Sequence, residues 1–380
     1  MYSIEDLTIR DQNRDIIGIC DNFSSVIWES VYFGVGVFEI YAEATEQNKQ
    51  ILKEDYFVTR ADRPRDVGII ENIIYEYDMA GALMIKATGR FAKSILDRRL
   101  IYNLVQVYII ENYYMAKPVV MTGKVEAICR SLVNSCMINP TDQNRKISFV
   151  KLGTLRNLPA YVINQDGSSQ TTYGNLLEIT DGFLKDVNYS AYMSLGDDGN
   201  LYYNVFEGTD RTETIIFSQD FDNLIKSNYQ KNKQALKTIS LIGGSGEGTD
   251  RRFTFYSAVA NQTGINRREV FIDGSSIKQE TGEKDDEGDP IYFDASQYKP
   301  MLQSFAKTEM KEKYIITENY TGEIDITAND FKLGVDYNVG DIVRLYDKVL
   351  NVQQQQRIYK ATEVQDANGY NITISFDPGN

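Results

Sequence analysis

The sequence predicts a mainly β fold with α insertions, an α+β chain, and three observations predict it. Segments of alternating apolar and polar residues recur near both ends. Helical three- and four-residue spacing is confined to a few stretches. Aromatic residues are abundant, with 26 Tyr and 17 Phe among 380 residues. Period-two alternation places successive side chains on opposite faces of a sheet, whereas 3.6-residue spacing builds an apolar stripe on a helix. With 42% hydrophobic and 25% charged residues and only 7 Pro, the chain can bury cores in several domains.

Residues 1–90 read as strands. Ile4 to Ile9 alternates, Ile16 to Cys20 is apolar, and Val26 to Ser30 precedes a long segment, Tyr32 to Ala42. There Phe33, Val35, Val37 and Tyr41 point one way, and Tyr32, Phe38 and Ile40 the other. Apolar groups on both faces predict a strand covered on both sides or set in a subunit interface. Gly34 and Gly36 predict a bulge or close backbone approach. Tyr56 to Thr59, Val67 to Asp78 and Ala82 to Thr88 add strands, the last two joined at Ala80-Gly81. A short helix from Phe91 to Arg99 leads into mixed apolar sequence to Met115.

Thr122 is the expected N-cap of a helix from Gly123 to Met137, with Val125, Ile128, Cys129, Leu132 and Cys136 on one stripe. Residues 139–171 read as a linker with an edge strand at Ile147 to Leu152. Tyr173 to Val187 is amphipathic through Leu176, Ile179, Phe183 and Val187. Ser190 to Leu195 and Leu201 to Phe206 form a hairpin around Gly196-Asp-Asp-Gly-Asn200, where Asp197 and Asp198 serve the turn. Strands follow at Ile215 to Ser218, Lys237 to Ile242, Arg252 to Ala260 and Glu269 to Asp273. Gln297 to Glu312 is a helix with Tyr298, Met301, Leu302 and Phe305 on its apolar face. The tail returns to strands at Ile315-Ile316, Glu323 to Thr327, Asp341 to Tyr346, Arg357 to Glu363 and Asn371 to Phe376, with Gln353 to Gln356 read as a loop. Two β regions flanking helical inserts are compatible with a diverged duplication, although no short-period repeat occurs.

Composition excludes much chemistry. The chain has no His, which removes Ser-His, Cys-His and His-metal designs. Cys20, Cys129 and Cys136 read as small buried hydrophobes. The last two would lie about 10 Å apart along a helix, beyond the roughly 7 Å a disulfide spans. A formal charge of −14 opposes phosphate neutralisation, so no sequence-specific nucleic acid binding is expected. The local basic run, Arg90, Lys93, Arg98 and Arg99, reads as the solvated face of a short helix. No run reaches the ~18 apolar residues of a membrane span, and no secretory signal opens the chain, so no stable membrane insertion is expected.

Two motifs invite a ligand reading. Gly243-Gly-Ser-Gly-Glu-Gly248 follows a strand, but the sequence after it continues as a strand and not a helix, so it reads as a hairpin loop. In the acidic stretch 283–294, Glu283, Asp285, Glu287, Gly288 and Asp294 fall at calcium-loop positions one, three, five, six and twelve. No helix precedes it and Pro290 replaces an apolar residue, so a solvated hairpin is the default reading. Trp28, the sole tryptophan, reads as a core or interface anchor. No catalytic, cofactor-binding or metal-binding residue is assigned.

An ordered series of segments resembles one family. Val26-Ile-Trp-Glu-Ser-Val-Tyr-Phe-Gly-Val-Gly-Val-Phe-Glu-Ile40 is similar to its opening, and Gly89-Arg-Phe-Ala-Lys-Ser-Ile-Leu-Asp-Arg-Arg99 to its glycine, helix and arginine segment. Phe206-Glu-Gly-Thr-Asp-Arg211, Phe217-Ser218, Gly264-Ile-Asn-Arg-Arg-Glu269 and Tyr337-Asn-Val-Gly-Asp-Ile-Val343 complete the order. The chain resembles the siphovirus tail-tip hub proteins of the ReqiPepy-type tail family, relatives of contractile-tail baseplate hubs and of the N-terminal part of tail-associated lysins.

The resemblance implies a structural, non-enzymatic homotrimer in the virion, assembled in the bacterial host cytoplasm. It would join a hexameric distal tail ring to fibre or receptor-binding proteins, near the tape-measure protein, and line the DNA exit channel. It also implies two tube-like β-barrel domains, so that three subunits present six similar units to the ring. The domains expected are a first tube-like β domain at 1–90, a helical insert and linker at 91–171, a helix with hairpin at 172–210, and a second tube-like β domain at 211–275. An acidic loop and helix at 276–313 and a C-terminal β domain at 314–380 complete the chain. Two other readings stand beside it: a tail-borne carbohydrate- or receptor-binding module, expected to carry clustered exposed aromatics, and a cell-wall-degrading tail lysin.

Overall fold

The structure, a computed structural model, describes residues 3–4, 6–106, 114–116, 119–161, 168–171, 173–324, 331–349 and 351–377. The chain divides into two compact units, residues 1–228 with 320–380, and residues 229–319. Thus residues 211–228 group with the C-terminal strands, and the β region expected over 211–275 is split between the units.

The first unit is built on a 13-stranded sheet. Its order runs Leu224–Asn232, Thr317–Ile324, Gly369–Asp377, Val352–Asp366, Phe23–Val31, Val37–Glu43, Leu83–Phe91, Gly68–Tyr77, Phe57–Thr59, Leu7–Arg10 and Ile16–Cys20. Ile342–Asp347 pairs with Val352–Asp366 off this path and carries Ile216–Ser218 in parallel. The N-terminal and C-terminal strand sets therefore meet along one line, where Phe23–Val31 pairs antiparallel with Val352–Asp366. Among the described residues no sheet closes into a barrel, because the sheet is one open path ending at Ile16–Cys20.

Alternation explains the N-terminal half. Val26, Trp28 and Ser30 point inward from Phe23–Val31, and Phe38, Ile40 and Ala42 from Val37–Glu43. Cross-strand register sets Trp28 beside Phe38 and Val26 beside Ile40. The single long strand expected over Tyr32 to Ala42 is instead a turn and a strand. Gly34 takes a φ of +84°, which reverses the chain there. Gly36 packs so tightly that a Cβ would lie 2.6 Å from the Phe91 ring. Trp28 is fully buried, its ring centroid 5.0 Å from that of Phe91 and 5.5 Å from that of Phe38.

The expected inserts 91–171 and 172–210 share one core. Ile95, Leu96, Cys129, Leu132, Leu176, Leu184, Val150 and Tyr203 pack in it together with Phe57 and Ile69 of the large sheet. Three local expectations change. The helix expected over Gly123 to Met137 is Val125–Val133, continued by a wider turn over Asn134–Ile138, and its N-cap is Lys124 without a side-chain cap, not Thr122. The amphipathic helix is Leu176–Asp186, because the Asn175 side chain accepts hydrogen bonds from Leu177 N and Glu178 N. Gln353 to Gln356 lies within the strand Val352–Asp366, where pairing with Ile342–Asp347 absorbs its backbone groups. Of the strand expected at Glu323 to Thr327, residues 325–327 lie outside the described residues, as do 107–113 in the stretch before Met115.

The second unit is a small α/β body. Ile239–Gly243 lies between Phe253–Ser257, antiparallel, and Glu269–Asp273, parallel. The helix Ala295–Lys313 buries Tyr298, Leu302, Ala306 and Met310 against Ile242 and Ile272. Asp294 starts it with a capping box closed by Gln297.

Candidate functional site

A charged node sits on the line where the two strand sets join. Glu363 follows Ala361 on the inward phase of Val352–Asp366 and lies opposite Trp28. Its fully buried carboxylate accepts from Arg60 at 3.0 Å and from Arg63 at 2.8 Å. The Tyr370 hydroxyl donates to it at 2.5 Å. Burial and the adjoining carboxylate push that phenol well above the ordinary tyrosine range. Arg60 also pairs with Asp62 at 2.8 Å, and its guanidinium lies 5.3 Å from the Trp28 ring centroid. The node was missed in the sequence because Glu363 sits in an alternating strand; the available signal was a glutamate in register with inward Ala361.

Beside the node, the loop Asp62–Asp66 lines a cleft of about 240 Å³ with Tyr192, Phe206 and Asn338. Asp66 accepts from Ser30 at 2.5 Å and from Trp28 Nε1 at 3.4 Å. Burial raises its carboxyl pKa. Arg65 lies over the Tyr192 and Phe206 rings at 5.2 and 5.1 Å.

Exposed apolar groups among the described residues include three sets that lie on strands or hairpins. The terminal strand Ile16–Cys20 exposes Ile16, Ile17 and Ile19. The outer end of the Gly68–Tyr77/Leu83–Phe91 hairpin exposes Ile74, Tyr75, Tyr77 and Met79. On the three-stranded sheet of the second unit, Phe255 and Phe271 stand opposite Leu241 on neighbouring strands, Phe253 lies two residues along, and all three rings are about half exposed.

The motifs singled out in the sequence are placed as follows. Gly243–Gly248 belongs to the connection between the antiparallel strands Ile239–Gly243 and Phe253–Ser257. The acidic stretch forms the hairpin Glu280–Lys284/Pro290–Tyr292. In it Asp285 accepts from Glu287 N and Asp289 N, and Asp294 is engaged as a helix cap. No group of three or more Cys, Asp or Glu able to hold a metal ion occurs among the described residues. All three cysteines are buried and free. The basic run is solvated only in part: Arg98 is exposed and Arg90, paired with Glu71 at 2.8 Å, is partly so, whereas residues 92–96 are buried and Lys93 pairs with Asp181 at 2.9 Å. Packing of the short helix Ala92–Arg98 against Leu176–Asp186 draws Lys93 inside. No helix among the described residues is long and apolar enough to cross a membrane.

Over residues 6–376 the chain matches the family described as Siphovirus ReqiPepy6 Gp37-like protein. The chain belongs to that family. Its fold is similar to that of a tail protein from Neisseria meningitidis MC58, at 12% identity and a TM-score of 0.54, covering 98% of this chain and 96% of that one. It is equally similar to the 43 kDa tail protein of prophage MuSo2 from Shewanella oneidensis, at 11% identity and a TM-score of 0.54, with the same coverage. The fold is thus that of a phage tail protein. Comparison with curated proteins gives no match.

Proposed function

We propose that this chain is a structural, non-catalytic component of the virion, a homotrimeric hub at the distal end of a bacteriophage tail. It joins the hexameric distal tail ring to fibre or receptor-binding proteins, close to the tape-measure protein. The observation that carries the reading is the open sheet end: a strand with unpaired backbone groups and exposed Ile16, Ile17 and Ile19, on a fold similar to tail proteins. An apolar open edge favours pairing with another chain. In the assembled ring the N-terminal and C-terminal strand sets act as the two tube-like elements, completed by neighbouring copies. The charge of −14 keeps transiting DNA from sticking to the bore. Mass photometry of the purified chain tests this: a trimer is expected at micromolar concentration, and a monomer that persists even with the ring protein added refutes it.

A second reading, a tail-borne carbohydrate-binding module, is favoured by one observation, the clustered exposed rings of Phe253, Phe255 and Phe271. Both roles can belong to one chain, since the rings lie in the second unit and the open edge in the first.

A further inference from the structure

A cleft of the second unit has a volume of about 790 Å³, within the range of small-molecule sites. It is shaped by loops that leave the C-terminal ends of the parallel strands Ile239–Gly243 and Glu269–Asp273, the sheet end at which α/β folds open crevices. The glycine-rich loop singled out in the sequence forms one wall. Its shape is fixed from below. Gln279 Nε2 donates to Ser245 O and to Asp250 O at 2.5 and 2.8 Å, and Gln279 N donates to Ser245 Oγ at 3.0 Å. The Tyr298 hydroxyl accepts from Ser245 N at 3.1 Å and donates to Ile277 O at 2.5 Å.

The lining selects a ligand class. Asp250 and Glu280 oppose Arg252 and Lys278, so formal charges cancel and an anionic phosphate gains little. Among the described residues the side chains of Asp250, Lys278 and Glu280 meet no ion pair or hydrogen bond, and Arg252 spends one nitrogen on Phe293 O at 2.8 Å. An apolar ligand would strand these groups. A ligand rich in hydroxyls, each both donor and acceptor, satisfies carboxylate, ammonium and guanidinium together. Tyr292, 54% exposed at the rim, adds a flat apolar ring for the C–H face of a sugar.

We propose that this cleft binds an uncharged oligosaccharide, with Tyr292 stacked on one sugar ring and Asp250, Arg252, Lys278 and Glu280 taking its hydroxyls. The proposal shares the ligand class of the carbohydrate reading above and goes beyond it by placing the sugar in this cleft, away from the Phe253, Phe255 and Phe271 rings. The test is saturation-transfer NMR on the full chain with maltohexaose, cellohexaose, mannohexaose and chitohexaose, each at millimolar concentration. At least one is expected to bind, and Tyr292→Ala and Glu280→Gln, both on the surface and verified as folded by circular dichroism, each weaken it about tenfold or more. Binding that survives Tyr292→Ala but is lost in Phe255→Ala overturns the cleft and leaves the carbohydrate reading standing. Silence from all four glycans overturns both. Displacement of a bound glycan by inorganic phosphate overturns the choice of an uncharged ligand. None of these outcomes bears on the trimeric hub, which mass decides separately.

Discussion

Replacing Glu363 by alanine tests whether the charged node holds the two strand sets together. The Glu363 side chain is 0% exposed and that of Arg60 1%, so the mutation leaves a guanidinium in the interior with only half-exposed Asp62 as counter-ion. Arg63 loses both of its contacts to the carboxylate, and the Tyr370 hydroxyl loses its acceptor. Removing one partner of a buried ion pair costs about 3–5 kcal/mol, mostly from the charge left uncompensated. For a unit of this size that corresponds to a fall in Tm of roughly 6–10 °C. The comparison that isolates electrostatics is the triple variant Arg60→Met, Arg63→Met, Glu363→Leu. It removes all three buried charges and should lose less stability than Glu363→Ala alone. Differential scanning calorimetry and urea titration of both variants decide the matter. A Glu363→Ala protein within about 2 °C of the parent would refute the reasoning, and so would a triple variant less stable than the single one.

Asp66→Asn should change how stability varies with pH. Burial raises this carboxyl, so between the unfolded value near 3.9 and the higher folded one the native state holds more protons. Stability therefore falls as pH rises through that window. The asparagine keeps an acceptor for Ser30 and Trp28 and removes the slope; urea midpoints measured from acid to neutral pH should show the variant gaining on the parent, and a constant difference would contradict this. The thiols should be inert to Ellman's reagent in the native chain, since burial pushes Cys20 up to about 12 and also raises Cys129 and Cys136; rapid labelling of any one, without denaturant, would count against the packing described. Ile16→Lys on the terminal strand, where Ile16 is 62% exposed, should shift mass-photometry populations toward monomer while leaving the thermal midpoint of the monomer unchanged. An unaltered trimer would remove this edge from the interface.

What the sequence revealed follows from what periodicity measures. Alternation assigned Val26, Trp28, Phe38 and Ile40 to strands, and the Ala80-Gly81 turn joined the correct pair of strands. Alternation names a face but not a partner. Nothing local tells Val26 to Val31 that its neighbour is Lys360 to Gln365, so the joining of the two strand sets into one sheet was out of reach. The turn at Tyr32–Gly36 was hidden because aromatic and aliphatic residues continue through it; only the left-handed conformation at Gly34 marks it. The polarity of glutamines 353–356 points to a loop, and the pairing that makes them a strand comes from Ile342–Asp347. The charge of Lys93 alone points to solvent, and only the helix packed over it, which supplies Asp181, draws it inside.

The junction constrains how the proposed hub can move. Phe23–Val31 contributes Trp28 and Ser30 to two structures at once, the aromatic core with Phe38 and Phe91 and the polar contacts around Asp66. Val352–Asp366 contributes Glu363 to the node from the other side. Parting these strands would break their ladder and also expose a buried carboxylate, two guanidiniums and a tryptophan face in the same step. Such costs are paired in space and so arise together, which makes a hinge along this line unfavourable by several kcal/mol. In the proposed hub, an opening that released DNA would therefore carry the N-terminal and C-terminal strand sets together as one plate, with the motion falling away from this junction.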